Sequence, residues 1–396
     1  MSIRPLRLVA AVAVGLVVGP LAAGPAHAAT TWSIVSTPNR GTIANYLNGV
    51  TATASNAAWS VGSWYDTNAA SPRTLIQRWN GTSWSNVTSP NATPYYNELY
   101  AVDATSSTFA LAVGYANGSS GVNGSPRNSL TMRWNGTAWS VVPAPNPGVS
   151  SRNLVGVEAI TATNAWAVGW YYESLSPAFL DAMVLHWNGS AWSQVEVVGP
   201  GNYLNELYGV SATSATDVWA VGTWANLGEP NGSRHPLAMH YNGVTWSTVP
   251  VPAPGTAFLR GVKAISPTDA WAVGSKSGYS TPVAYHWNGT AWSEVPTPAL
   301  GTSGNNLFYG VSGLSATQVW AVGYRFTGSG PQPLVERWNG SVWSVETVPA
   351  TELGGSLAAA AAIGGTSPQV WAVGARSEFV GSSFADRTFA LRGAGS

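Results

Sequence analysis

The sequence predicts an all-β fold, a seven-bladed β-propeller with four antiparallel strands in each blade. The main observation behind this prediction is a tetrapeptide, Trp-Ala-Val-Gly or a near copy, that recurs about every 50 residues. A fixed period of this length is typical of small units that stack on one another, because one unit alone cannot bury its apolar faces. The seven copies begin at Trp59, Leu111, Trp166, Trp219, Trp271, Trp320 and Trp371.

Each repeat contains four short runs that have the composition of strands. In the fourth repeat, residues 207–212 form an alternating run, 214–217 a polar turn and 218–222 the tetrapeptide segment. A third run, as at 184–187, and a fourth, as at 191–195, complete a repeat. The runs are rich in Val and Trp and are bounded by turn residues, which indicates strands. Apart from a weak alanine run at 358–362, the chain after residue 28 shows no sustained helical period.

An Asn-Gly pair separates the third run from the fourth. This dipeptide tolerates positive φ at both central positions of a turn and is the strongest short hairpin signal. We therefore expect a hairpin between the third and fourth strands of six repeats. The asparagines are Asn80, Asn135, Asn188, Asn242, Asn288 and Asn339.

The two ends of the chain predict a shared seventh blade. Residues 387–392 match a third strand, whereas residues 31–35 match a fourth strand, and neither end has the rest of its hairpin. We expect the last blade to combine 31–36 with 357–392. Such sharing closes the ring and removes strand edges that invite aggregation. The domain organisation is then a leader at 1–28 and one propeller domain at 29–396.

The leader has the layout of a secretory signal peptide. Arg4 and Arg7 precede an apolar stretch at 8–24, and Ala26-His27-Ala28 has the small-x-small form of a cleavage site. The alternative is a membrane anchor, but a spanning helix needs about 20 apolar residues and this stretch is shorter. We expect cleavage near Ala28 or Ala29, a secreted protein of bacterial type and no transmembrane segment afterwards.

Composition excludes several classes of site and partner. The chain has no cysteine, so disulfides, thiolate metal sites and cysteine nucleophiles are excluded. Its 17 basic and 17 acidic residues balance, and no basic stripe points to nucleic acid. The three histidines that precede hairpins fall in different repeats, so we expect no metal site. We also expect no cofactor and a monomer.

The repeated chain resembles the secreted bacterial β-propellers of the sialidase/BNR and kelch-like kind, over essentially its whole length after the leader. The spacing Gly81-x-x-Trp84 is similar to the tail of the sialidase Asp-box, although Trp79 stands where that motif has its aspartate. The Gly-Gly doublet of kelch repeats is absent. Some bacterial lectins are also seven-bladed and Trp-rich. The resemblance implies a propeller architecture and supplies no catalytic set.

One basic residue precedes each hairpin. It could stack on aromatic faces and so stabilise the blade, or it could supply one anion or glycan contact per blade. The series is Arg78, Arg133, His186, His240, His286, Arg337 and, in the shared blade, Arg392.

The long, variable loops predict a ligand-binding face. Loops from the second to the third strand, and from each fourth strand to the next blade, emerge on one side of an up-and-down ring, where binding residues concentrate. Aromatic residues beside carboxylates in these loops suit sugar rings; packing of the loops against each other is the alternative. The candidate ligand-binding residues are Tyr95, Tyr96, Glu98, Trp170, Tyr171, Tyr172, Glu173, Tyr203, Glu206 and Trp224.

A second set of candidates takes the position after the Val of the first strands, aligned through the repeats: Thr51, Asp103, Glu158, Ser211, Lys263, Ser312 and Ala361. If these residues approach the axis, Asp103 and Glu158 could act as acid and base on a glycan. Lys263 or Arg260 would assist them. A charge-balanced channel is the alternative.

Three functions are compatible with these features. The first is a non-catalytic exported propeller, lectin-like, that binds carbohydrate or another extracellular ligand on its long-loop face. The second is a glycan-active hydrolase or lyase at the central channel. The third is a cell-surface scaffold that binds a surface protein. No catalytic signature such as Gly-x-Ser-x-Gly or His-Glu-x-x-His is present.

Overall fold

The structure, a computed structural model, describes residues 30–395 except 120–125, 176–177, 231–232, 254, 277–280, 302–303, 329, 366–367 and 382. This part of the chain consists of strands, turns and irregular segments, without any helix. Accordingly, none of it is a helix that could span a membrane. The leader at 1–28 lies outside the described residues, so cleavage and export stay predictions.

The strands follow the repeats in order. A first strand, β1 (Thr31–Val35), precedes repeat 1, which contains β2 (Asn45–Ala54), β3 (Ala57–Asp66), β4 (Ser71–Trp79) and β5 (Trp84–Val87). Repeat 2 contains β6 (Asn97–Ser106), β7 (Phe109–Asn117), β8 (Arg127–Trp134) and β9 (Trp139–Val142). Repeat 3 contains β10 (Arg152–Thr161), β11 (Asn164–Leu175), β12 (Ala178–Trp187) and β13 (Trp192–Gln194). Repeat 4 contains β14 (Leu204–Ser214), β15 (Asp217–Ala225), β16 (His235–Tyr241) and β17 (Trp246–Thr248).

The remaining three repeats have the same arrangement. Repeat 5 contains β18 (Ala257–Ser266), β19 (Asp269–Lys276), β20 (Thr281–Trp287) and β21 (Trp292–Val295). Repeat 6 contains β22 (Asn306–Ser315), β23 (Gln318–Thr327), β24 (Gly330–Trp338) and β25 (Trp343–Val345). Repeat 7 contains only β26 (Gly355–Ile363), β27 (Gln369–Val380) and β28 (Ser383–Ala394).

The strands form antiparallel sheets of the kind found in propellers. Within the described residues there are five four-stranded sheets and one eight-stranded sheet. The larger sheet consists of the strands of repeats 3 and 4, joined only by a parallel pairing of Leu180 with Leu204. The first strand of each repeat contacts the first strand of the next repeat, and β26 contacts β2. The prediction of an all-β, propeller-like chain is confirmed.

The ends of the chain share one sheet, as the sequence predicts. Its strand order is β1-β28-β27-β26, with Thr31 opposite Ala394 and Val35 opposite Ala390. The bounds differ slightly from the predicted ranges 31–36 and 357–392. Strand β1 ends at Val35, and the strands of repeat 7 begin at Gly355 and end at Ala394.

The hydrophobic core lies between consecutive repeats. Trp59 of the first tetrapeptide packs on Trp134 and Trp139 of repeat 2, with ring centroids 4.9 and 5.2 Å away. The last repeat contacts the first in the same way, since Trp371 lies 4.9 Å from Trp79 and 5.0 Å from Trp84. These tryptophans are buried and form the core between neighbouring repeats.

The basic residue before each hairpin stacks on an aromatic ring of its own repeat, which confirms the structural alternative. The guanidinium of Arg78 lies 5.1 Å from the ring centroid of Trp59, and the imidazole of His240 lies 4.5 Å from that of Trp219. The other pairs are Arg133 with Phe109, His186 with Trp166, His286 with Trp271, Arg337 with Trp320 and Arg392 with Trp371.

The Asn-Gly hairpins differ from the predicted turn. Four residues, 80–83, separate β4 from β5, and only Gly81 takes a positive φ, of 101°. The Asn80 side chain instead caps the loop, because its Oδ1 accepts the backbone N–H groups of Thr82 and Ser83 at 2.9 Å. The expectation of positive φ at the asparagine is therefore wrong. Its hydrogen-bonding side chain explains the residue here.

Each first strand carries a β-bulge after its conserved apolar residue. In β2, Leu47 pairs with Gly62 and Gly49 pairs with Val61, so Asn48 is an extra residue without a partner position. A bulge of this kind re-aims the extra side chain. The corresponding extra residues are Tyr100, Val155, Tyr208, Arg260, Tyr309 and Ala358.

The bulge also explains the glycine of the tetrapeptide. A Cβ atom on Gly62 would lie 2.0 Å from the carbonyl oxygen of Tyr46, and one on Gly222 would lie 1.8 Å from that of Glu206. Both distances are far below van der Waals contact, so only glycine lets the bulged first strand approach the second.

Candidate functional site

The seven extra residues of the bulges meet in one cavity, which we call the axial cavity. Its volume is about 480 Å³. It lies near the starts of the first strands, which follow the long loops. Its lining residues are the seven extra residues Asn48, Tyr100, Val155, Tyr208, Arg260, Tyr309 and Ala358, together with Arg127, Asn153, Trp170 and Ser356.

On one side of the axial cavity, Arg127 is held in place by an aromatic ring and an amide. Its guanidinium lies 4.3 Å from the ring centroid of Tyr115, and its Nη1 donates to Oδ1 of Asn153 at 3.1 Å. Tyr96 and Tyr100 both stack on Tyr115, at centroid distances of 5.5 and 5.8 Å. These contacts restrict the cation to one position at the cavity wall.

A second arginine lies between two tyrosines. The guanidinium of Arg260 is 5.2 Å from the ring centroid of Tyr208 and 5.3 Å from that of Tyr309. The three residues come from repeats 4, 5 and 6, each as the extra residue of its bulge. The two rings flank the guanidinium group and fix its direction.

Two carboxylates lie behind this lining. Glu98 accepts hydrogen bonds from Nδ2 of Asn48 and from the hydroxyl of Tyr115, each at 3.2 Å. Glu206 forms an ion pair with Arg234 at 3.0 Å and accepts the Tyr208 hydroxyl at 2.9 Å. Burial raises the pKa of both carboxyl groups. Neither of them is a lining residue of the cavity, so they position its wall.

The predicted axial candidates form a layer three residues further along the first strands. Oδ2 of Asp103 accepts the backbone N–H of Ala159 at 2.8 Å, and Oε1 of Glu158 accepts that of Ala212 at 3.2 Å. Ser211 and Ser312 make the same bond to their next repeats. The layer therefore links neighbouring first strands.

This layer also carries an unusual charge balance. Burial raises the pKa of Asp103, and burial together with the nearby Asp103 raises the pKa of Glu158 to about 8. The ammonium group of Lys263 partly offsets the increase in the pKa of both carboxyl groups. The structure thus brings Asp103, Glu158 and Lys263 into one electrostatic group, whereas Arg260 lines the cavity instead.

Of the ten residues predicted from the loops, only Trp170 lines the axial cavity. Glu173 and Tyr203 line a separate cavity of about 330 Å³ between repeats 3 and 4. Tyr172 lies edge-on to Trp170, and Trp224 stacks on His235 with centroids 4.3 Å apart.

The other loop candidates have supporting positions. The backbone carbonyl of Tyr95 accepts a hydrogen bond from Arg73 at 3.0 Å. Tyr96, Glu98 and Glu206 support the cavity wall as described above. Tyr171 is only 9% exposed and packs in the core between repeats 2 and 3, whereas a ligand-binding loop residue has to be exposed. Strand alternation places it on the opposite face from Trp170.

Sequence reasoning missed Asn48, Tyr100, Arg127, Asn153, Tyr208 and Tyr309 as lining residues. For Asn48, Tyr100, Tyr208 and Tyr309 the available signal was the second residue of the Leu-x-Gly-Val segment that begins each repeat, as at 207–210, because it varies between repeats more than its neighbours do. No group of His, Asp and Glu in the described residues could hold a metal ion.

Comparisons with known proteins show a similar fold but no family. No protein-family model matches the chain, and its sequence matches no curated protein. A solved structure described as YCF48 bound to D1 peptide has a TM-score of 0.55 and 12% identity, covering 91% of this chain and 96% of that one. A protein of unknown function from Dyadobacter fermentans has a TM-score of 0.52 and 9% identity, covering 93% and 99%.

A third structure, a polysaccharide lyase described as ulvan lyase bound to -[GlcA(1-4)Rha3S]-, has a TM-score of 0.49. Its sequence is 10% identical, and the match covers 90% of this chain and 95% of that one. At such identities the first two likenesses concern the fold alone. The chain is therefore similar in fold to the first two proteins over nearly its whole described length.

Proposed function

We propose that the protein is an exported, non-catalytic seven-bladed propeller that binds carbohydrate or another extracellular ligand on its long-loop face, at the axial cavity. The observation that carries this proposal is the convergence of one re-aimed side chain from every repeat into a single cavity. A volume of about 480 Å³ lies within the usual range of small-ligand sites, roughly 300–1,000 Å³. Its lining mixes aromatic rings with a few oriented polar groups, as such sites require.

The proposed blade count and ring rest on contacts between repeats. Seven repeats each supply a first strand, and the contacts between first strands run from repeat 1 to repeat 7 and back to repeat 1. The shared sheet of β1 with β26–β28 supports closure. Counting the sheets around the axis in an experimental density map tests this part of the proposal.

A glycan array with the purified protein tests the function. We expect saturable binding, weakened at least about tenfold by Trp170→Ala, which removes an aromatic wall of the cavity. Trp224→Ala is the matched control, because Trp224 stands on the same face but stacks on His235 outside the cavity. Silence across the array, or loss of binding only in Trp224→Ala, would contradict the proposal.

A second candidate function is a glycan-active enzyme. It is favoured by the pKa of about 8 at Glu158 beside Asp103, since perturbed carboxyl pairs occur at catalytic sites. Under this alternative, Glu158→Gln abolishes turnover of a glycan and leaves the melting temperature nearly unchanged. Unchanged turnover in this variant excludes the pair as catalysts.

A third candidate, a surface scaffold, rests on an exposed aromatic pair at the tip of the β27–β28 hairpin. Phe379 and Phe384 are 61% and 68% exposed, with ring centroids 4.5 Å apart. Exposed apolar clusters of this kind mark protein-binding surfaces. Pull-down from culture fluid with the native protein and with a Phe379→Ser, Phe384→Ser double variant tests this candidate. If both capture the same proteins, the β27–β28 hairpin is not the protein-binding surface.

A further inference from the structure

The charged side chains that line the axial cavity are all positive. Among the described residues that line the axial cavity, two are arginines and none is a carboxylate. Two acids of the first strands, Glu98 and Glu206, are turned into the wall, where they accept hydrogen bonds from protein groups. A bound molecule would therefore meet guanidinium groups and aromatic rings, but no carboxylate.

The two arginines come from widely separated repeats. Arg127 belongs to repeat 2 and Arg260 to repeat 5, so they approach the cavity from different sides of the ring of first strands. Each is oriented by aromatic stacking, Arg127 on Tyr115 and Arg260 between Tyr208 and Tyr309. Oriented guanidinium groups recognise planar or tetrahedral anions through paired, charge-assisted hydrogen bonds.

The rest of the lining suits a ring with hydroxyl groups. Trp170 offers an apolar face, while Asn48 and Ser356 offer amide and hydroxyl groups. Repeat 7 contributes only Ser356 and Ala358, the smallest side chains of the lining, so space for the ring is largest on that side.

An extended peptide fits these walls less well. The first strands are paired with their second strands along their length, and neighbouring first strands are linked by side chains such as those of Asp103 and Glu158. Most first strands are edge strands of their sheets, but their inner edge carries these side-chain links and faces the neighbouring first strands, so a peptide that added there would have to displace them.

From these four observations we infer that the axial cavity binds an acidic sugar residue, a saccharide unit that carries a carboxylate or sulfate group. This inference rests on the proposed ligand-binding function and names the chemistry of its ligand. The acid group contacts Arg260 and Arg127, and the sugar ring packs against Trp170.

The test compares glycans that differ only in charge. Binding of oligogalacturonides, hyaluronan oligosaccharides and sulfated galactans is measured by calorimetry, each against its neutral counterpart: methyl-esterified, carboxyl-reduced or desulfated. We expect at least one acidic member to bind about ten times more tightly than its neutral partner, with affinity falling as salt rises. The carboxylate and sulfate arms distinguish the two acid groups.

Variants locate the contact. Arg260→Met and Arg127→Met should each weaken binding of the acidic glycan about ten- to a hundredfold, as expected for a lost charge-assisted hydrogen bond. Their affinity for the neutral partner should change little. Arg325→Met is the matched control: it removes the same charge from an exposed residue of repeat 6 outside the axial cavity. Circular dichroism melts confirm that all three variants fold.

The outcomes separate this inference from the proposed function. Equal binding of acidic and neutral glycans, lost in Trp170→Ala but not in the arginine variants, overturns the acidic-sugar inference and leaves ligand binding standing. If acidic peptides bind and none of the glycans does, the cavity binds an anion, but the inference that this anion is a sugar is wrong. Absence of binding to all these probes overturns both.

Discussion

At the scale of single residues, Glu336 is the least expected feature of the core. Both of its carboxylate oxygens are buried without a hydrogen-bond partner, and the residue is 0% exposed. Burial raises its pKa from an ordinary value of 4.5 to about 8. Gln77 occupies the same strand position in repeat 1, opposite the residue after the tetrapeptide tryptophan, so an amide fits this place in the fold.

This burial gives a defined pH dependence. Between pH 4.5 and 8 the unfolded chain has lost the Glu336 proton while the folded chain retains it. Stability then falls as pH rises, by up to about 1.4 kcal/mol per pH unit, and the loss is complete above pH 8. Glu336→Gln should therefore raise the melting temperature at pH 8, with a smaller effect at pH 5.

The exposed Glu352 provides the control for this measurement. Thermal melts of Glu352→Gln at the same two pH values should match those of the native protein. A Glu336→Gln effect of equal size at pH 5 and pH 8 would show that ionisation is not its cause.

At the scale of elements, the lining of the axial cavity depends on the glycine of the tetrapeptide. The glycine leaves room for a bulge, and the bulge places one side chain per repeat in the cavity wall. Gly222→Ala would bring a Cβ atom to 1.8 Å from the carbonyl of Glu206 and force the two strands apart. We expect a loss of unfolding free energy of more than about 2 kcal/mol, together with weaker ligand binding through displacement of Tyr208.

Gly328→Ala is the matched control, because a Cβ atom there would meet nothing within 4 Å. Chemical denaturation of both variants measures the difference. Equal stability of Gly222→Ala and the native protein would mean that the bulge is not fixed by this glycine.

The sequence predicts the strands of each repeat but not the β-bulge of the first strand, which supplies the cavity residues. Short Val- and Trp-rich runs between turn residues identify the strands, and the tryptophans identify the packing between repeats. The bulge is not predictable from alternation, since one extra residue reverses the inward and outward faces without changing composition. For this reason the sequence identifies Tyr208 and Tyr309 as strand residues but not as cavity residues, and it points to aromatic residues of the loops as ligand contacts instead.

At the scale of the whole molecule, the strand β1 holds the two ends of the chain together. Trp32 is 6% exposed, packs in the core with Trp320, and donates from Nε1 to Glu346 at 2.6 Å. Removal of residues 30–36 should lower the melting temperature sharply, because the sheet of repeat 7 loses its outer strand.

A point variant makes the same test without shortening the chain. Trp32→Ala should cost about 3–5 kcal/mol of unfolding free energy. Ile34→Ala, at a position 41% exposed on the same strand, should cost less than about 1 kcal/mol. An unaltered melt of Trp32→Ala would show that β1 contributes little to closure.

The pairing of β1 with β28 also has a consequence for the order of assembly. Ser33 meets a partner, Arg392, that stands 359 positions later in the chain. Contacts so distant in sequence form slowly, because a very large loop must close before they return any free energy. The N-terminus of the chain leaves a ribosome or a translocation pore first. The sheet of repeat 7 can therefore gain its outer strand, β1, only after the C-terminal strand β28 has emerged. The pairing of β1 with β28 is therefore a late step, and agents that arrest synthesis or translocation near residue 380 should trap a loosened, protease-sensitive form.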